Sequence, residues 1–173
     1  MRQFPDFPIP GIDFIDILPL FADHALHTKL VRALELQVLA NNNGVKPDVI
    51  VGLDARGFLF GPSLALRLGA GFAPVRKRGK LPGPTHEAKF DKEYGADGFQ
   101  IQSDAIKKGQ SVLVVDDIIA TGKPFNILYI YTKRFLTSTR WFCCSRWATR
   151  RATRWKSPRI SLYTRNRFLE RQR

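Results

Sequence analysis

Ser111-Val-Leu-Val-Val-Asp-Asp-Ile-Ile-Ala-Thr-Gly122 is the stretch that sets the reading of this chain. It begins as an unbroken apolar run, the pattern of a strand covered on both faces inside a parallel sheet. Two adjacent carboxylates follow, Asp116 and Asp117, and then a small Ala120-Thr121-Gly122 turn. Ligands of open α/β sheets bind beyond the carboxyl ends of the strands. An acidic pair and a phosphate-sized turn therefore stand where a site is expected. The pair either caps the next helix or holds a ligand, and a cap does not require the second carboxylate.

A second strand-to-helix passage lies upstream. Pro47-Asp-Val-Ile-Val-Gly-Leu-Asp-Ala-Arg-Gly-Phe-Leu-Phe-Gly-Pro62 predicts a buried strand, a glycine-marked turn and a helix over roughly 58–68. Arg56 stands at the strand's carboxyl end, where its fork suits phosphate or pyrophosphate as well as a surface ion pair. Phe72–Val75 predicts a further short strand. The loop Arg76-Lys77-Arg78-Gly79-Lys80-Leu81-Pro82-Gly83-Pro84 follows it directly. Such a run is either solvated surface or an anion site, and its place after a strand favours the anion. Residues 88–102 hold Glu93-Tyr94-Gly95 and a strand at Phe99–Ile101, an excursion over the site.

At the start of the chain, residues 4–20 carry four prolines, which predicts an extended surface arm and no helix. Phe14 in that arm either packs on the core or stacks on a flat ligand. Residues 23–41 predict an amphipathic helix with Leu26, Leu30, Leu34 and Val38 along one face, Ala33 and Gln37 beside them, and Asp23 as N-cap. Rival nucleotide motifs fail. No G-x-x-x-x-G-K-[ST] occurs, and Gly69-Ala-Gly71 precedes a strand with no third glycine.

Charge divides the chain. Residues 1–122 hold 14 Lys/Arg and 14 Asp/Glu, so they sum to zero. Of the 28 basic and 15 acidic residues in all, 14 and 1 remain for residues 123–173, which carry the whole net charge of +13. That segment also holds Trp141, Trp147, Trp155 and the adjacent Cys143 and Cys144. No secretory signal opens the chain and no apolar run reaches membrane-spanning length. With so little cysteine, the expected compartment is reducing and cytoplasmic, with the nucleus also open.

Five segments in order resemble the adenine phosphoribosyltransferase family: Phe7–Phe14, Gly52–Pro62, Arg76–Gly83, Glu93–Gly95 and Val114–Gly122. The resemblance spans residues 1–122. It implies a type I phosphoribosyltransferase fold, α/β, with a central mostly parallel sheet flanked by helices, a flap and an atypical basic C-terminus. It implies transfer of phosphoribosyl from phosphoribosyl pyrophosphate to adenine in purine salvage, by a homodimer, with Mg²⁺ carried on the donor near Asp116 and Asp117. By the same resemblance Phe14 stacks on adenine and the Asp13 backbone meets the base edge. Arg56, Arg76, Lys77 and Lys80 bind pyrophosphate. Glu93 is the catalytic carboxylate and Tyr94 its neighbour. Asp116 and Asp117 hold the ribose hydroxyls, with Asp117 also counted as catalytic, and Ala120, Thr121 and Gly122 begin the 5′-phosphate loop.

After Gly122 the resemblance stops. The family continues Gly-Thr/Ser, whereas this chain has Lys123-Pro124. Proline removes an N–H that should face phosphate, and lysine adds a Cβ at a close approach. Residues 123–173 therefore read as an unmatched segment with three explanations: foreign sequence from a retained intron, a frameshift or a faulty gene model; a basic Trp-interleaved arm for nucleic acid or an acidic membrane surface; or a mostly unstructured extension. Gly122-Lys123 is encodable by GGTAAG, which resembles an intron's 5′ end. A strand is conceivable at Ile127–Tyr131, and no regular structure is expected beyond it. The rival function is a catalytically impaired chain of the same fold, with or without a nucleic-acid-binding tail.

Overall fold

The computed structural model describes residues 2–91, 96–116 and 139–141. They belong to two compact units, Met1–Gly44 and Val45–Arg173.

In the first unit, strand β1 (Arg2–Phe4) pairs antiparallel with β2 (Phe14–Asp16), Arg2 opposite Asp16 and Phe4 opposite Phe14. The Arg2 guanidinium donates to Asp16 Oδ2 from Nε at 3.1 Å and from Nη2 at 2.7 Å. Asp16 Oδ1 accepts from the Leu18 amide at 2.9 Å. That backbone bond, and then Arg2, hold the Asp16 carboxyl below its usual range. The proline-rich arm is thus a two-stranded ribbon followed by a one-turn helix α1 (Pro19–Ala22). The expectation of no helix fails at that turn, because proline at the first helical position loses no hydrogen bond and arrives with the right φ.

Helix α2 (His24–Asn41) starts where predicted, with Asp23 Oδ1 accepting from the Leu26 amide at 2.9 Å. Its buried line differs from the predicted one. Val31 and Val38, seven residues apart, are buried, while Leu26 is exposed and Ala33 and Gln37 face outward. A four-residue spacing drifts 40° per step around a helix, whereas a seven-residue spacing nearly returns to the same face.

The second unit is built on one sheet. Its elements are β3 (Val49–Leu53), α3 (Gly57–Leu68), β4 (Gly71–Lys77), β5 (Thr85–Asp91), β6 (Ala96–Gln102), β7 (Val112–Val115) and β8 (Thr139–Trp141). The strand order is β5-β6-β4-β3-β7-β8. The pairs β4–β3, β3–β7 and β7–β8 are parallel, and β4–β6 and β5–β6 are antiparallel. The centre is therefore parallel and one edge carries an antiparallel hairpin, the predicted excursion.

Every residue of β3 and β7 is buried, as their unbroken apolar sequences require. Alternation splits them between two faces. Val49, Val51, Leu53, Val112 and Val114 join Ala73, Val75 and Ile101 in one core, against which Phe99, Ala105 and Ile106 pack. On the other face lies α3, whose Phe60, Leu64, Ala65 and Leu68 are buried. Its Gly61 sits so close to the sheet that a Cβ there would meet Val115 Cγ2 at 3.2 Å.

Strand β8 corrects the expectation of no regular structure after Tyr131. It pairs with β7 in register Val112↔Thr139 to Val114↔Trp141. Three residues at a sheet edge need only backbone partners, so no apolar period announces them. The suggested strand at Ile127–Tyr131 lies outside the described residues.

Candidate functional site

Three parallel strands of the second unit end side by side. Leu53 of β3 is opposite Val75 of β4, and Gly52 of β3 is opposite Val115 of β7. Neighbouring strands lie about 4.8 Å apart, so their carboxyl ends discharge three segments at one rim. These are Asp54-Ala55-Arg56 from β3, the basic loop from Arg76 onward from β4, and Asp116 from β7. The chain runs from β3 outward to β4, then returns to place β7 on the other side of β3. That reversal is the topological switch point at which α/β sheets open a ligand crevice.

Two arginines at this rim are anchored. Arg76 Nε donates to Asp54 Oδ2 at 3.1 Å, and its Nη1 donates to the Lys80 carbonyl at 3.2 Å. The loop is tied to the neighbouring hairpin as well. Gly79 N donates to Gln100 Oε1 at 2.9 Å, Arg78 N donates to the Gly98 carbonyl at 3.0 Å, and Arg78 Nε lies 3.3 Å from Glu87 Oε1. Gly79 adopts φ +76°, a conformation that favours glycine. Arg56 occupies the N-cap position of α3 with helical backbone angles.

The structure thus brings Arg56, Arg76, Lys77, Lys80 and Asp116 of the expected set to one edge of one sheet. In the first unit, Phe14 opens β2, and its ring meets Phe7 edge-on at 5.1 Å and 63°. The Asp13 carboxylate accepts from Gln3 Nε2. Glu93, Tyr94, Asp117, Ala120, Thr121 and Gly122 lie outside the described residues, as do Lys123 and Pro124. Among the described residues no group of three or more His, Cys, Asp or Glu gathers as a metal cage. None of their helices is long and apolar enough to cross a membrane. Sequence reasoning missed two side chains that organise the loop. Asp54 could have been found, since it stands two residues before Arg56 at a strand end; Gln100 gave no signal.

Residues 21–125 match the phosphoribosyl transferase domain family. An adenine phosphoribosyltransferase of Yarrowia lipolytica is 62% identical over 122 residues, covering 70% of this chain and 67% of that protein. The chain belongs to the adenine phosphoribosyltransferase family. Adenine phosphoribosyltransferase 1 of Saccharomyces cerevisiae is 55% identical over 122 residues, again 70% of this chain and 65% of its own length. The chain thus spans about two thirds of these relatives. A crystal structure of the Saccharomyces cerevisiae adenine phosphoribosyltransferase, complexed with an imino-altritol bisphosphate and adenine, superposes with TM-score 0.74 at 47% identity over 82% of each chain. The enzyme of Thermoanaerobacter pseudethanolicus gives 0.69 at 40% identity over 81% of each. Membership confirms the type I phosphoribosyltransferase fold.

Proposed function

We propose that this chain transfers the phosphoribosyl group of phosphoribosyl pyrophosphate to N9 of adenine, releasing AMP and pyrophosphate. The bond from the anomeric carbon to the pyrophosphate oxygen breaks, the bond from that carbon to N9 forms, and the purine loses a proton. Charge builds on the ribose ring and on the departing diphosphate, so catalysis consists of placement and electrostatic stabilisation.

In this reading Arg56, Arg76, Lys77 and Lys80 take up the diphosphate. Asp116 and Asp117 accept hydrogen bonds from the ribose hydroxyls, and Ala120-Thr121-Gly122 supply amides to the 5′-phosphate. Glu93 manages the purine proton beside Tyr94. Phe14 stacks on the base and the Asp13 backbone meets its edge. The carboxylate oxygens of Asp116 and Asp117 are hard donors that suit Mg²⁺ arriving on the donor's phosphates; when bound, the ion screens the diphosphate charge. We assign the protein to the cytoplasm, with the nucleus open to it, as a homodimer acting on free adenine and donor. Nucleic acid is a partner only if the basic segment 123–173 binds it.

What supports the reading is the common rim at which β3, β4 and β7 end, with Arg76 held 3.1 Å from Asp54 and Asp116 following the last residue of β7. Calorimetric titration of the full chain with phosphoribosyl pyrophosphate and Mg²⁺ tests it. Saturable binding near one donor per chain is expected. No heat of binding up to millimolar donor would refute it.

A further inference from the structure

Cations on a loop of glycine and proline have no intrinsic reason to point anywhere. Gly79 and Gly83 take left-handed backbone angles, and Pro82 and Pro84 follow the last lysine. Loop-wide anchors at Gln100 and Glu87 hold its outer side. Its inner side is held from β3. The Asp54 amide donates to the Val75 carbonyl at 2.9 Å, and the Asp54 carboxylate accepts from Arg76 Nε. Asp54 therefore grips two consecutive residues at the end of β4. Through Arg76 Nη1 the link continues to the Lys80 carbonyl.

Arg76 is 38% and Asp54 21% exposed at the side chain. A pair this open to water adds little stability. Its consequence is orientation: with Nε and Nη1 engaged, the guanidinium plane is fixed and the Nη2 edge is directed.

We propose that Asp54 is a positioning residue for the diphosphate of the donor, acting through Arg76. The inference rests on the function proposed above and adds a residue to it. It also makes a prediction whose sign is opposite to that of simple charge. Asp54 is an anion beside an anion site. Were it a bystander, removing it would tighten donor binding by relieving repulsion. As the brace of Arg76, its removal weakens binding.

Donor affinity by calorimetry and steady-state constants should be measured on the full chain and on D54A, D54N, R76A and D54A/R76A. D54A is expected to raise the donor Kd and KM about tenfold, the loss of one aligned charge-assisted contact. The adenine KM and kcat stay within about twofold. D54N retains an acceptor for Nε and stays within about threefold of the parent in donor Kd. In the R76A background the Asp54 substitution no longer weakens donor binding. Tighter or unchanged donor binding in D54A, or an equal effect with Arg76 absent, overturns the inference. If D54A fails to fold, D54S, polar but too short to reach Arg76, replaces it. A parent chain that does not bind the donor overturns both this inference and the function beneath it. A parent that binds while D54A matches it overturns this one alone.

Discussion

Gly57 and Val115 approach so closely that a Cβ on the glycine would lie 2.6 Å from the valine carbonyl oxygen. The same Cβ would also meet backbone atoms of Gly52 at 3.2 Å. Helix α3 therefore seats its first residue directly on the ends of β3 and β7, one residue before Asp116. Backbone on all sides cannot yield as a side chain could. Gly57→Ala is expected to destabilise by about 1–3 kcal/mol, despite alanine's better helix propensity. Thermal unfolding should show a loss of about 2–4 °C per kcal/mol. Gly71→Ala, whose Cβ would meet nothing nearer than 3.7 Å, is the control and should stay within about 0.5 kcal/mol.

At the opposite end of the same two strands, Asp48 Oδ2 accepts from Ser111 Oγ at 2.7 Å and from the Ser111 amide at 2.6 Å. The side-chain bond first, and the backbone bond next, hold the Asp48 carboxyl below its ordinary 3.8. A carboxyl depressed in the folded state contributes stability above its unfolded pKa and loses it as pH falls through the folded value. Ser111→Ala removes the larger of the two bonds. Its destabilisation should be full at neutral pH and shrink below about pH 4. Denaturant unfolding at pH 7 and pH 3 checks this, and an equal deficit at both would contradict it.

Arg56→Ala separates donor binding from folding. Arg56 is half-buried before the first turn of α3, so thermal unfolding of the variant should be measured beside its kinetics. If Arg56 binds the leaving diphosphate as proposed, its loss should cost on the order of 100-fold in kcat/KM for the donor. The adenine KM should be unchanged when measured at saturating donor.

Phe14→Ala is expected to act on the other substrate. A base stacked on an aromatic ring is held by about 1–3 kcal/mol, so the adenine KM should rise about tenfold to a hundredfold while the donor KM holds. Loss of the edge contact with Phe7 should add a modest destabilisation of about 0.5–1.5 kcal/mol. Phe14→Trp should restore most of the adenine affinity, and an equal rise in both KM values would argue for a structural role.

The parallel centre of the sheet was legible because double burial writes itself as continuous apolar runs at Val49–Leu53 and Val112–Val115. The start of α2 was legible because Asp23 caps it through its own side chain. Strand β5 escaped notice, since Thr85–Asp91 mixes charged and apolar residues and is held by pairing with β6. Edge strand β8 escaped for the same reason. The cations proposed for the site could be named from their places after strands. Which carboxylate braces Arg76 could not, because Asp54 and Arg76 stand 22 residues apart and meet only through the register of β3 and β4.

Turnover of radiolabelled adenine by the intact chain, with phosphoribosyl pyrophosphate and Mg²⁺, bears most directly on the grip of the acidic pair on the ribose. AMP and pyrophosphate should form in equal amounts, and Asp116→Ala and Asp117→Ala should each lower the rate on the order of 100-fold or more in a chain that still folds. No labelled AMP from the intact chain, or full activity without the two aspartates, would contradict it.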